Sequence, residues 1–261
     1  MEPLLLSTDF DGTILNHDLP APMAPSFFDW IENERERREV IWVINTGRDW
    51  DSLQIELEQR QARFTPDWVV LVEREIHRLE SKSGSLVSLE HWNQRCTEIH
   101  ADLFTRANAA LQATRERLTV YEDLTVVNDI GSPLGIIAKD NAQADALEPD
   151  LQPMLEEFPE MHTVRNDIYF RFAHQDFHKG SCLETLLQET GLRPENCFAA
   201  GDNVNDLHML NREYAHYLTC PSNALPQVKA KVKKQGGYIA TLPADQGIVQ
   251  ALNYFFRTHP N

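Results

Sequence analysis

A chain of 261 residues has room for one large domain or two moderate ones, and 42% apolar with 25% charged residues is the balance of a soluble globular protein. A net charge of −16 argues against nucleic acid or an anionic membrane as a partner, because both would repel it. A small phosphorylated ligand stays possible, since a bound cation reverses the local sign. The four cysteines, Cys96, Cys182, Cys197 and Cys220, include no Cys-x-x-Cys pair. That pattern fits reduced thiols in a cytoplasmic protein better than disulfides or a zinc site. No apolar run is long enough for a bilayer, and Leu4-Leu5-Leu6 is too short for the core of a signal peptide, so a cytoplasmic location is expected.

In chain order, Leu4–Thr8 reads as a buried strand, Phe27–Arg37 as a helix and Val40–Ile44 as a second strand. Asp49-Trp50-Asp51-Ser52 puts acidic residues at the start of the next helix, where the dipole favours them. Trp68–Val72 is a third strand. The middle of the chain then changes rhythm. Cys96, Ile99, Leu103, Ala107, Ala110, Leu111, Thr114 and Leu118 recur at helical spacing. Thr119–Val127 and Leu134–Ala138 read as strands joined by the turn-rich 128–133. Leu147, Leu151, Met154, Leu155 and Phe158 mark another amphipathic helix. A second strand pair, Met161–Val164 and Ile168–Phe172, turns at Arg165-Asn166-Asp167. The first pattern resumes with the helix Ser181–Glu189 closed by Gly191, strands at Cys197–Ala200, His216–Thr219 and Tyr238–Ala240, and a helix at Gly247–Phe256.

Strands alternating with helices define an α/β fold, a Rossmann-like doubly wound parallel sheet. The interruption, helix and two strands twice over, is expected to be a smaller inserted α+β domain with helices on one face of an antiparallel sheet. The predicted division is a core of residues 1–84 and 177–261 and an inserted domain of residues 85–176.

Ligands of open parallel sheets bind beyond the carboxyl ends of the strands. Four polar clusters fall there: Asp9-Phe10-Asp11-Gly12-Thr13, Asn45-Thr46-Gly47-Arg48, Lys179-Gly180-Ser181, and Gly201-Asp202-Asn203-Val204-Asn205-Asp206. Asp9 and Asp11 can share a side at a strand end while the chain turns away at Gly12. Two close carboxylates raise each other's pKa, and a magnesium ion with its preference for oxygen ligands relieves that conflict. Asp202 supplies a third carboxylate. Thr46 and Lys179 add a hydroxyl and a cation suited to phosphate oxygens. Singly, each has a plain explanation: a solvated Asp-x-Asp turn, an ordinary strand-to-helix turn, a helix cap, a solvent-facing lysine. In this order, at strand ends, they form the equipment of phosphoryl transfer.

With these motifs the chain resembles the haloacid dehalogenase superfamily of phosphatases. Asp9-Phe10-Asp11-Gly12-Thr13, Thr46, Lys179 and the segment from Gly201 to Asp206 match its four motifs in order. Leu207-His208-Met209-Leu210 and Ser222-Asn223-Ala224 resemble flanks of its Cof-type and sucrose-phosphate-phosphatase-like branch, subfamily IIB, which carries a cap domain between the second and third motifs. One departure is local. Many Cof-type members have Asn-Gly after the third strand, where this chain has Glu73-Arg74-Glu75-Ile76.

The resemblance implies a magnesium-dependent phosphatase acting on a small phosphate ester, with sugar phosphates favoured. Asp9 is the expected nucleophile, forming an aspartyl-phosphate, and Asp11 the expected acid and base. Asp9, Asp202 and the Asp11 backbone carbonyl are expected to hold the metal, with Asp206 in support. Thr46, Gly47, Lys179 and Asn205 are expected to bind the phosphate. A carboxylate at Asp11 favours hydrolysis over a lasting phospho-enzyme of the kind used by cation-pumping relatives. The cap is expected to set specificity. On its last strand Ile168, Phe170 and Phe172 share one face and Tyr169 and Arg171 the other, either toward substrate or as a solvated face. His174, Asp176 and His178 read as a polar linker. The alternatives are a phosphomutase on the same core and a non-catalytic phospho-ligand-binding protein. A response-regulator receiver domain fits less well, because its acidic pair precedes the phosphorylated aspartate.

Overall fold

The computed structural model describes residues 1–80, 84–129 and 131–256. The chain forms two compact units, residues 1–89 with 179–261, and residues 90–178.

The first unit is built on an eight-stranded sheet. Its strands are β1 (Leu4–Thr8), β2 (Val40–Asn45), β3 (Trp68–Leu71), β4 (Glu75–Leu79), β5 (Leu86–Ser88), β10 (Cys197–Ala200), β11 (Tyr217–Cys220) and β12 (Tyr238–Ile239). The order is β12-β11-β10-β1-β2-β3-β4-β5. All neighbours are parallel except β3–β4 and β4–β5. Every residue of β1 and β10 is buried, as continuous apolar runs in a doubly covered parallel sheet require. Helices α1 (Pro25–Arg35), α2 (Trp50–Gln59), α6 (Lys179–Thr190), α7 (Pro226–Lys234) and α8 (Ala244–Phe256) complete the unit. Trp42 anchors the core on the α1 side, its ring edge-on to Phe27, Phe28 and Phe64. Its indole N–H donates to Thr8 Oγ1 at 3.1 Å. Asp49 caps α2 by accepting from the Ser52 amide at 2.7 Å, and Gly191 follows α6 at φ 68°.

The second unit is a four-stranded antiparallel sheet, order β6-β7-β9-β8, made of β6 (Thr125–Asp129), β7 (Ser132–Ile137), β8 (Met161–Asn166) and β9 (Tyr169–His174). Its helices are α3 (Glu90–Arg106), α4 (Asn108–Leu118) and α5 (Asn141–Glu157). Leu103, Leu111, Leu118, Leu147, Leu151 and Met154 from these helices pack with Leu134, Ile136, Phe170 and Phe172 from the sheet.

Several details differ from the sequence expectation. The helical pattern from Cys96 to Leu118 breaks at Ala107, between α3 and α4; apolar spacing runs unchanged across the break and cannot show it. Residues 119–124 form turns instead of the first half of a strand, and β6 starts at Thr125. Of the turn read at 128–133, Asn128, Asp129, Ser132 and Pro133 belong to strands, and Ile130 lies outside the described residues. The sequence division starts the insertion at Ser85, but Leu86–Ser88 pairs with β4 in the first unit's sheet, and the compact units divide after Leu89 and after His178.

On β9, Phe170 and Phe172 face the helices, and Tyr169 and Arg171 take the other face. There Arg171 Nε lies 3.1 Å from Asp129 Oδ2, with its guanidinium 5.4 Å from the Tyr169 ring centre. Burial, then a hydrogen bond to Asp129, push the Tyr169 hydroxyl up to about 12. His174, read as part of a polar linker, is the last residue of β9: its amide donates to His100 Nε2 at 3.1 Å and its Nδ1 accepts from the Asp176 amide at 3.2 Å.

Candidate active site

The first unit brings the sequence-predicted residues of all four clusters to the carboxyl ends of β1, β2 and β10. Asp9 follows β1, and its amide donates to Ala200 O at 2.8 Å, tying the first cluster to the strand before the fourth. Lys179, the first residue of α6, has no solvent exposure. Its carbonyl accepts from Asn45 Nδ2 at 3.0 Å, which fixes the start of the helix against the end of β2. Its Nζ donates to Asp9 Oδ1 and to Asp206 Oδ1, each at 2.7 Å.

Burial is the largest influence on Asp9 and raises its pKa well above 3.8; Asp206 and Asp202 push the same way, and Lys179 opposes them. Burial acts to lower Lys179, but Asp206, Asp9 and Glu73 outweigh it and hold the ammonium far above its ordinary value. Lys179 is therefore a permanent cation in a dry site.

Asp206 is fully committed. Besides Lys179, its Oδ2 accepts from the Asp202 and Asn203 amides at 2.8 and 2.9 Å. Gly201 makes this close approach possible, since a Cβ there would lie 2.4 Å from Asp206 Oδ2. Asp202 Oδ1 accepts from Thr13 Oγ1 at 3.1 Å. Gly12, at φ 73°, lets the Asp202 carboxylate lie against the β1 turn, where a Cβ would stand 2.5 Å from Oδ2.

Carboxylate oxygens of Asp9, Asp202 and Asp206 lie within 4.8 Å of one another, and among the described residues no other acidic, histidine or cysteine group of three does so. A set of oxygens carrying several negative charges fits a hard divalent cation. Asp11 is absent from this group. Its carboxylate turns outward to Arg48, which donates from Nε to Oδ2 and from Nη2 to Oδ1, both at 2.7 Å. His17 Nε2 is 2.9 Å from the same Oδ1. Burial alone would raise Asp11; Arg48 and His17 outweigh it and hold the carboxyl below 3.8.

Thr46 is buried, with its amide on Val70 O at 2.9 Å and its Oγ1 accepting from the Arg48 amide at 3.2 Å. That leaves the hydroxyl proton as a donor. Asn205, expected to bind phosphate, donates from Nδ2 to Glu73 Oε1 at 2.9 Å. Three residues of this site escaped the sequence reading. Arg48 stands next to Gly47 in a cluster already singled out, but its partner is 37 residues away. His17 carries no motif. Glu73 was visible only as a departure from Asn-Gly.

The inserted unit falls in the chain between the segments of Thr46 and Lys179, which is the order of the Cof-type branch. The family model described as haloacid dehalogenase-like hydrolase matches residues 78–252, and the chain belongs to that family. The match includes Lys179, Asp202 and Asp206. A phosphoglycolate phosphatase of Methanothermobacter thermautotrophicus is 31% identical over 78 residues, 30% of this chain and 33% of that protein; the matched stretch spans about a third of that relative's length. Among solved structures, the sucrose-phosphatase of Synechocystis sp. PCC6803, in complex with sucrose and phosphate, aligns with a TM-score of 0.75 over 98% of both chains at 19% identity. BT1666 of Bacteroides thetaiotaomicron, described among phosphatases of the haloalkanoate superfamily, aligns at 0.68 and 17% identity over 97% of this chain and 94% of its own. No helix among the described residues is long and apolar enough to cross a membrane.

Proposed function

We propose that this hydrolase is a magnesium-dependent phosphatase that cleaves a small phosphate ester, a sugar phosphate by preference, through an aspartyl-phosphate on Asp9. The observation that carries the reading is the buried Asp9–Lys179–Asp206 bridge, 2.7 Å on each side, with Asp202 alongside. Asp9, Asp202 and the Asp11 backbone carbonyl would hold the metal. When bound, it neutralises phosphate charge and favours the ionised form of Asp9.

In the first half-reaction an Asp9 carboxylate oxygen attacks phosphorus, the ester P–O bond breaks, and the leaving oxygen takes a proton from Asp11. In the second, water attacks the phosphorus of the aspartyl-phosphate and gives its proton to Asp11. The bond to Asp9 breaks, orthophosphate departs, and Asp11 is again protonated for the next ester. Lys179, the Thr46 hydroxyl, the Gly47 backbone and the Asn205 amide receive the phosphate oxygens. In the geometry with Arg48, Asp11 is an ionised carboxylate, so its acid step requires the Arg48 pair to open.

The direct test is phosphate release from a panel of phosphorylated metabolites with and without magnesium, no bisphosphate being added. Metal-dependent release from at least one ester is expected. No release from any ester, an aryl phosphate included, would transfer the site to a phospho-ligand-binding role.

A further inference from the structure

We propose that Glu73 is a built-in competitor for the phosphate cradle, an internal carboxylate that occupies the Asn205 amide and weakens the hold of the site on phosphate. The inference rests on the phosphate-binding role given to the cradle above.

Two successive residues after β3, Val72 and Glu73, have φ of 44° and 66°. Left-handed backbone is costly for a residue with a side chain, and most of all for a β-branched one. The turn is nevertheless pinned to the Thr46–Arg48 loop: Val72 N donates to Arg48 O at 3.0 Å and Glu73 N to Thr46 O at 2.9 Å. Glycine would adopt the Glu73 conformation freely. The chain instead keeps a glutamate there and buries it to 5% exposure.

The carboxylate rests on the cradle. A Cβ on Gly47 would lie 3.0 Å from Glu73 Oε1, and the same oxygen accepts from Asn205 Nδ2 at 2.9 Å. Among the described residues Glu73 forms no ion pair, although its charge helps to raise Lys179. A buried carboxylate whose hydrogen-bond partner is a neutral amide costs stability instead of adding it. Strain, burial and charge thus converge on a residue with no evident structural return.

The chemistry supplies one. A phosphate oxygen and the Glu73 carboxylate are both anionic acceptors for the same amide. Phosphate that enters must share the Asn205 amide with the glutamate, or displace it, and in either case sits close to its charge. The penalty falls on the ground-state binding of ester and orthophosphate alike, so it raises KM and eases release of the product. Glu73 touches no reacting atom; it sets affinity.

The test is calorimetric titration of orthophosphate, in magnesium buffer, into the full chain as wild type, Glu73→Gln and Glu73→Gly. Glutamine keeps size and an acceptor while removing charge. Glycine fits the backbone, so that variant folds even if the glutamine is poorly accommodated. Both variants are expected to bind orthophosphate about tenfold more tightly, the scale of one unscreened nearby charge, with KM for the ester falling in parallel. Unchanged or weaker orthophosphate binding in both variants would overturn the proposal; a merely structural Glu73 would move the melting temperature and leave affinity alone. Because titration needs no turnover, failure of the phosphatase reading would appear separately, as a wild type that releases no phosphate from any ester.

Discussion

Asp9 and Asp11 are two residues apart at the end of one strand, yet the inner and outer halves of the site treat them oppositely. Asp9 is buried beside Asp202 and Asp206, has Lys179 as its counter-ion, and is pushed up. Asp11 lies at a wetter rim with its side chain 30% exposed, is clamped by Arg48, and is pushed down. Before ligand arrives, each carboxyl is biased against its proposed task. The nucleophile needs its charge and the acid needs its proton. Under the proposed mechanism, a cation beside Asp9 and an opened Arg48 clamp would correct both biases together.

The largest effect should come from removing the inner carboxylate. Asp9→Asn should reduce turnover by about four orders of magnitude or more while circular dichroism and the melting temperature stay near wild type. Appreciable residual activity would remove the distinction between the two halves.

Lys179→Met comes next. It leaves Asp9 and Asp206 buried without a counter-ion, which should cost roughly 3–5 kcal/mol near neutral pH in urea unfolding. The sign follows from the carboxylates. Without Lys179 the raised Asp9 carboxyl is pushed further up, so the variant binds protons on folding, and its deficit should shrink between pH 8 and pH 5. In the wild type the raised Lys179 pKa means that the ammonium's contribution is present at neutral pH and lost only as pH rises through its strongly alkaline folded value.

The outer half predicts less. Arg48→Met should cost about 1–2 kcal/mol at neutral pH, discounted for partial exposure of the pair. Asp11 is depressed when folded, so that contribution is present above 3.8 and is lost as pH falls through the folded value. The wild-type and variant unfolding curves should therefore converge in acid, and the alkaline limb of the rate profile, where Asp11 loses the proton its acid step needs, should move to higher pH in the variant. His17→Ala should change stability by only about a few tenths of a kcal/mol, because its imidazole is half exposed. A loss as large as that of Arg48→Met would mean that His17 shares the clamp equally.

The inner half was the more legible in the sequence, for a physical reason. Asp9, Lys179, Asp202 and Asp206 lie next to buried apolar runs or at a helix start, where chain geometry leaves a side chain few directions. The outer half depends on a long, jointed side chain. Nothing in Thr46-Gly47-Arg48 says that the guanidinium, just past the end of β2, pairs with Asp11 just past the end of β1. At Asn205 the position was legible but the partner was not, since its amide donates to Glu73, 132 residues away. In the fold, β1 and β10 stood out because both faces are covered and the runs are continuous. The β4–β5 hairpin did not, because Glu75, His77 and Arg78 dilute the apolar signal of Ile76 and Leu79 at the sheet edge.

The most direct test of the two-step account is chemical trapping of the intermediate. Wild-type enzyme quenched during turnover is treated with borohydride, which reduces an acyl phosphate, and the modified residue is located by peptide mass spectrometry. The account predicts reduction of Asp9 to homoserine, dependent on substrate and absent from Asp9→Asn. Reduction at another residue, or turnover with no trapped acyl phosphate under any quench condition, would contradict it.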